Sequence, residues 1–224
     1  MKNKWFGDIH DFRKYGLLCF LAKFYKEIAI DWMLTDKIPN TKDGNKIQFA
    51  NCNRKYYWAP KSSGEMQRKI WEYLHAFHIA KRTRNVSCAS EIFNLFPSCD
   101  KIKILKTRNE ICSDRPRLIF FDADNGFVDR EGSSSIYVSV NEIKTAFYIG
   151  NDILLYQHRP RKILNELIEE KCSILRKITE NPPLVFKAGS VIYFLLWHED
   201  FVDDIINAFK EADFTDAYLS IVNR

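Results

Sequence analysis

Short apolar runs rich in Ile, Val, Phe and Tyr alternate along the chain with segments of helical period. Phe12, Tyr15, Leu18, Cys19 and Ala22 recur at i, i+3, i+4 spacing, which predicts an amphipathic helix over 11–26. An apolar strand over 28–34, interrupted by Asp31, runs into a polar loop with several turn signals from Thr35 onward. Met66, Ile70, Leu74 and Phe77 share one face of a second predicted helix, 63–79, with Ser62 or Ser63 as its cap. A short helix over 87–96 stops at Pro97, and alternating basic and apolar residues over 101–105 read as an edge strand. The run Leu-Ile-Phe-Phe-Asp at 118–122 is a buried-strand pattern that ends on a carboxylate. Beyond it the pattern predicts a helix at 141–148, a buried strand at 152–157 and a long helix at 161–178, broken by Asn181-Pro-Pro. Strands at 184–186 and 190–197 meet near Ala188-Gly189, followed by a helix at 201–212 and a last strand at 217–222.

Alternation of this kind predicts an α/β fold of three layers, with a mostly parallel sheet and helices on both faces. A chain of 224 residues fits one domain spanning 1–224. The stretch 36–61 fits the alternation poorly and reads as a long functional loop or small insertion. Hydrophobic residues at 46% exclude disorder as the main state. Lys+Arg 34 against Asp+Glu 29 leaves +5, an excess compatible with a nucleic-acid partner and far from demanding one. No apolar run approaches the roughly 20 residues of a membrane span, and the first residues lack the apolar stretch of a secretory signal. The expected setting is therefore cytoplasmic and away from membranes. The six cysteines form no C-x-x-C pair and read as reduced, buried thiols. No Cys or His pair has finger-like zinc spacing, and His75 with His78 reads as a helix surface.

Open α/β sheets bind ligands at the carboxyl ends of their strands, so the strand assignments yield candidate residues. The strand at 28–34 leads to Asp36, Asp43, Gly44 and Asn45. That at 118–122 delivers Asp122, Asp124, Asn125 and Gly126. That at 152–157 delivers Gln157, His158, Arg159 and Arg161. The strand at 190–197 adds His198, Glu199 and Asp200 to the same rim if it is parallel, and removes them if it is antiparallel. Two carboxylates two residues apart, Asp122 and Asp124, suit Mg²⁺ with its retained waters, or else a substrate amine or ribose hydroxyl. Asp-Asn-Gly also reads as an ordinary tight turn, and the two readings coexist. His158 and Arg161 suit phosphate recognition, with His158 as an acid or base near neutral pH, beside the plain reading of a solvated loop. Before and within the first helix, Asp11 reads as a cap, while Asp8, Lys14 and Tyr15 are less easily explained that way. Tyr56, Tyr57 and Trp58 beside Arg54 and Lys55 either stack single-stranded bases or pack on the domain.

Together these segments resemble a family of bacterial and phage-borne proteins with G-D-x-x-D-x-x-K-Y-G-L-L, W-x-L, D-G, D-P-D-N-G-L and Y-x-H-x-x-R in that order. The matching residues are Gly7, Asp8, Asp11, Lys14, Tyr15, Gly16, Leu17 and Leu18, then Trp32, Leu34, Asp43 and Gly44. Asp122, Asp124, Asn125, Gly126, Tyr156, His158 and Arg161 complete the series, and Ala123 and Phe127 depart from it. The resemblance covers most of the chain and supplies positions without a reaction. In layout the chain is also similar to adenine-N6 methyltransferases of ribosomal RNA, whose strand-end Asp-Pro-Pro-Tyr holds the target amine. Asp122-Ala123-Asp124-Asn125 stands in the comparable place. That likeness implies a Rossmann-like, methyltransferase-type sheet with an antiparallel element near the C-terminus, and S-adenosylmethionine near Asp36. The chain lacks both prolines, the stacking aromatic and a Gly-rich turn after the strand at 28–34.

Three functions follow as expectations. The first is a nucleotide- or nucleic-acid-directed enzyme on a methyltransferase-like scaffold, with Asp122 and Asp124 holding the acceptor. The second is metal-dependent phosphodiester cleavage, with Mg²⁺ on Asp122 and Asp124 and with His158 or Lys14 as acid or base. The third is a non-catalytic accessory protein of phage defence or mobile elements that uses the same rim.

Overall fold

A computed structural model describes residues 9–33, 102–105, 117–129, 136–158, 163–198, 201–212 and 219–222. In chain order the elements are α1 (Ile9–Leu21), β1 (Ile28–Trp32), β2 (Ile102–Ile104), β3 (Leu118–Asp122), β4 (Phe127–Val128) and β5 (Val138–Ser139). They continue as α2 (Val140–Tyr148), β6 (Asp152–His158), α3 (Leu164–Leu175), β7 (Leu184–Ala188), β8 (Val191–Leu196), α4 (Val202–Glu211) and β9 (Ser220–Ile221). Seven strands form one sheet in the order β2-β1-β3-β6-β8-β7-β9, and β4 pairs β5 in a small separate ladder. Strands β2, β1, β3 and β6 are parallel neighbours; β8 runs against β6 and β7, and β9 runs against β7. The sheet is thus mixed and mostly parallel, with the reversed strands toward the C-terminal part of the chain.

The central strands are buried on both faces, which is why they read as continuous apolar runs. Period-two alternation then sends successive residues to opposite layers. Leu118, Phe120 and Leu154 join α1 and α4 in one apolar cluster; Ile119, Phe121, Ile153 and Leu155 join α2 and α3 in the other. On the first face Phe20 of α1 meets Phe209 of α4 edge-on at 5.5 Å between ring centroids. Tyr193, Phe120, Phe186 and Phe194 are fully shielded from water, each contributing about 1.5–3 kcal/mol by burial. The molecule is therefore helix–sheet–helix in layers. α2 starts with a capping box in which Ser139 and Glu142 satisfy each other's backbone N–H.

Several expectations shift. The first helix ends at Leu21, and the chain turns through 22–24 so that Tyr25 reaches the sheet edge. The long helix is Leu164–Leu175, with 176–178 as a closing turn. The pair β4–β5 has no counterpart in the expected elements, being only two residues per strand. The helices at 63–79 and 87–96 and the loop at 36–61 lie outside the described residues. Cys172 is free and buried, but Cys19 is disulfide-bonded, which corrects the expectation of a reduced thiol at that position. Among the described residues no helix is long and apolar enough to cross a membrane.

Candidate functional site

After β1 the chain forms β2 on one side and later returns to lay β3 on the other. The carboxyl ends of β1 and β3 therefore flank a point where the winding reverses, the place where open α/β sheets bind ligands. The register puts Trp32 beside Asp122, and the pairing of Phe121 with Leu155 puts Tyr156 next along β6. Trp32, Asp122 and Tyr156 thus form a row across three neighbouring strands spaced about 4.8 Å apart, all on the α1 face. The row is two aromatic side chains with a carboxylate between them.

Lys14 of α1 comes down onto that row. Its Nζ donates to Asp122 Oδ2 at 2.8 Å, with side-chain exposures of 4% and 2%, and lies 5.1 Å from the Tyr156 ring centroid. These residues are 108 positions apart in the chain. Sequence reasoning singles out both as candidates and has no means of pairing them. His158, the last residue of β6, is exposed at the same edge on the same face.

The loop after Asp122 is fixed from behind. Ala123 is buried against the α2–α3 layer, while Asp124 and Asn125 are half-exposed in a bend. Gly126 takes φ 96, and a Cβ there would stand 2.2 Å from Gln157 Oε1, so the glycine is required twice over. Gln157 Oε1 accepts from the Phe127 N–H (3.3 Å), and its Nε2 donates to the carbonyls of Asn125 (3.1 Å) and His158 (2.8 Å). From α3, buried Lys171 donates to the Phe127 carbonyl at 2.9 Å, its Nζ 4.8 Å from that ring's centroid. Lys171 escaped the sequence reading. The available signal was a lysine inside the apolar stripe Leu167, Ile168, Cys172, Leu175.

The remaining candidates separate. Asp11 and Tyr15 lie on α1, and nothing is described of their side chains; Asp8, Asp36, Asp43 and Arg161 lie outside the described residues. His198 leaves the rim. Gly189, with φ 65, and Ser190 close a two-residue hairpin that reverses β8, so His198 falls at the opposite edge. There its Nδ1 lies 3.1 Å from Asp152 Oδ1, which also accepts its backbone N–H at 2.9 Å. Asp152 Oδ2 accepts the Tyr25 hydroxyl at 2.7 Å, and the His198 ring stacks on Phe147 with centroids 3.8 Å apart. This cluster was not foreseen.

Burial pushes the Asp152 carboxyl above its ordinary range, and the bonds from Tyr25 and His198 offset this only in part. A carboxyl raised in the folded state contributes stability that is present below its unfolded value and lost as pH rises through the folded one. Relative to wild type, Asp152→Asn is therefore expected to gain melting temperature as pH climbs from about 3.8 toward neutrality. Calorimetric melts across that window check it. A gap moving the other way would mean that the hydrogen bonds outweigh burial.

Among the described residues no group of three metal-ligating side chains gathers. The Asp122–Asp124 pair does not suit Mg²⁺ as it stands, because the Lys14 ammonium already neutralises Asp122. Nor do the residues at the end of β1 suit S-adenosylmethionine: half-buried Trp32 stands there, and no glycine follows before Gly44 to allow close backbone approach. Comparison with family models, curated proteins and solved structures gives no match.

Proposed function

We propose that this protein is a nucleotide- or nucleic-acid-directed enzyme built on a Rossmann-like, methyltransferase-type scaffold, with the acceptor group held at Asp122. The observation that carries the reading is the row Trp32–Asp122–Tyr156 at the reversal point of the sheet. Two aromatic side chains flank a carboxylate, a combination suited to a planar heterocycle with an exocyclic N–H: the rings offer stacking faces and the carboxylate accepts the hydrogen bond. The strand order supports the scaffold. A parallel set, β2-β1-β3-β6, is followed by a hairpin whose returning strand, β8, inserts reversed between β6 and β7. His158 at the same edge is the candidate proton carrier. The loop pinned by Gln157 and Lys171 keeps Asp122 in place when the ligand arrives.

Metal-dependent phosphodiester cleavage fits less well, because a cation from the chain itself already occupies Asp122. No step is assigned to S-adenosylmethionine.

Thermal denaturation with mononucleotides, a single-stranded oligonucleotide, S-adenosylmethionine and Mg²⁺ tests the reading, since a ligand of the folded state raises the melting temperature. A saturable rise with a nucleotide or oligonucleotide is expected, weakened at least severalfold in Trp32→Ala. No response to any nucleotide or oligonucleotide would sink the proposal.

A further inference from the structure

His198 and Asp152, at the edge of the sheet opposite Asp122, have the arrangement of an imidazole oriented for nucleophilic or acid–base chemistry. Three donors converge on the Asp152 carboxylate: the Tyr25 hydroxyl at 2.7 Å, the His198 backbone N–H at 2.9 Å and, 3.1 Å away, His198 Nδ1. A carboxylate ringed by donors is the ionised, acceptor-only form, so Nδ1 carries the hydrogen and Nε2 the lone pair. Phe147, stacked at 3.8 Å and 19° to the ring, holds its plane. The His198 side chain is 36% exposed, and that of Asp152 behind it only 8%. Among the described residues the ring makes no hydrogen bond other than that to Asp152, so the nitrogen with the lone pair is the one turned away from the buried carboxylate. Packing does not account for the pair: burial pushes the Asp152 carboxyl up, so keeping it ionised behind the ring lowers stability at neutral pH.

We propose that His198, oriented by Asp152, is the nucleophile of a second site and accepts an acyl group from an uncharged carboxylic ester. Nε2 attacks the acyl carbon, the ester C–O bond breaks and the alcohol leaves as its oxyanion. The N-acylimidazolium so formed passes its Nδ1 proton to Asp152, whose buried carboxyl binds a proton more readily than an exposed one. Water then attacks the acyl carbon and the C–N bond breaks. Asp152 returns its proton to Nδ1, and the carboxylic acid and one proton leave for solvent. The neighbourhood selects against charge. Asp203 and Asp204 stand exposed in the first turn of α4, five and six residues after His198, and disfavour an anionic acyl or phosphoryl donor. Tyr148 and Ile149, which follow Phe147 in the chain and are 61% and 43% exposed, offer apolar surface to the acyl or alcohol part. The imidazole lies at the surface, so a small ester reaches it with no part of the fold moving.

p-Nitrophenyl acetate at neutral pH tests the site, with release of p-nitrophenolate as the readout. Per imidazole, wild-type protein should react faster than N-acetylhistidine, and His198→Gln should fall to the background of its remaining side chains. Asp152→Asn should lose about 10–100-fold, the usual effect of removing a carboxylate behind a working imidazole. Rates are read well below each variant's melting temperature, so a loss is not one of folding. Nitrogen-15 NMR adds a signature that packing alone does not give: Nδ1 of His198 protonated and Nε2 bare in wild type, and that preference lost in Asp152→Asn. Should the variants not fold, diethyl pyrocarbonate on wild type is the measurement. Mass mapping should then find His198 acylated ahead of His158, which is also exposed. A wild-type rate no higher than that of N-acetylhistidine, a rate unchanged in His198→Gln or in Asp152→Asn, or His158 acylated first overturns the proposal. The site lies across the sheet from Asp122 and the probe contains no nucleotide, so either result leaves the nucleotide reading to its own test.

Discussion

Replacing Lys14 by alanine is expected to lower the melting temperature by on the order of 10 °C. The reason is the carboxylate it leaves behind. Lys14 and Asp122 are both almost wholly out of water, at 2.8 Å from one another. Breaking a buried pair by removing one partner typically costs about 3–5 kcal/mol, because the other charge stays buried and uncompensated. In a chain of this size each kcal/mol is worth roughly 2–4 °C. Asp122→Ala should cost a similar amount by removing the carboxylate that stands 2.8 Å from the buried ammonium. Lys14→Met/Asp122→Leu, which removes both charges and keeps the volume, should recover most of the loss. Such a cycle gives a coupling of several kcal/mol between residues that touch, whereas distant sites add. Single variants that each cost under about 1 kcal/mol would show that the pair is hydrated and of the ordinary surface kind.

How much of this was readable beforehand divides along physical lines. The strand Leu118–Asp122 and the core of β6 were legible to within a residue, because a strand covered on both faces has to be apolar at every position. Asp122 stood out for the same reason: a carboxylate closing an apolar run has little else to do there. The direction of β8 was written in Gly189-Ser190, since a two-residue connection joins only antiparallel strands. With that direction settled, His198 belongs at the edge opposite Asp122. The end of α1 was misplaced because amphipathic spacing continues through Ala22, while the turn at 22–24 answers to the tertiary bond between Tyr25 and Asp152. Contacts such as Lys14 with Asp122, or Lys171 with Phe127, join residues far apart in sequence. No local pattern encodes them, although a lysine on an apolar helix face announces that it has a partner somewhere.

The second large effect is expected at Gly126, where alanine should again cost on the order of 10 °C. Two penalties combine. At φ 96 an L side chain is strained by about 1–3 kcal/mol. The new Cβ would also stand 2.2 Å from Gln157 Oε1 and 2.5 Å from its Cδ, so the amide must move. Moving it removes the acceptor of the Phe127 N–H and the donor to the Asn125 carbonyl. A buried polar group left without a partner costs about 1–3 kcal/mol. Gln157→Ala alone should pay only the second penalty (the lost hydrogen bonds), and Gly126→Ala/Gln157→Ala should cost clearly less than the sum, since the clash is gone once the amide is. The position also separates fold from site. The loop carries Asp124 and Asn125 and directly follows Asp122, so Gly126→Ala should weaken ligand binding at the rim by more than its stability loss explains when measured well below the melting point. Full binding in a destabilised Gly126→Ala protein would mean that the loop is a strut of the fold and that the rim is organised without it.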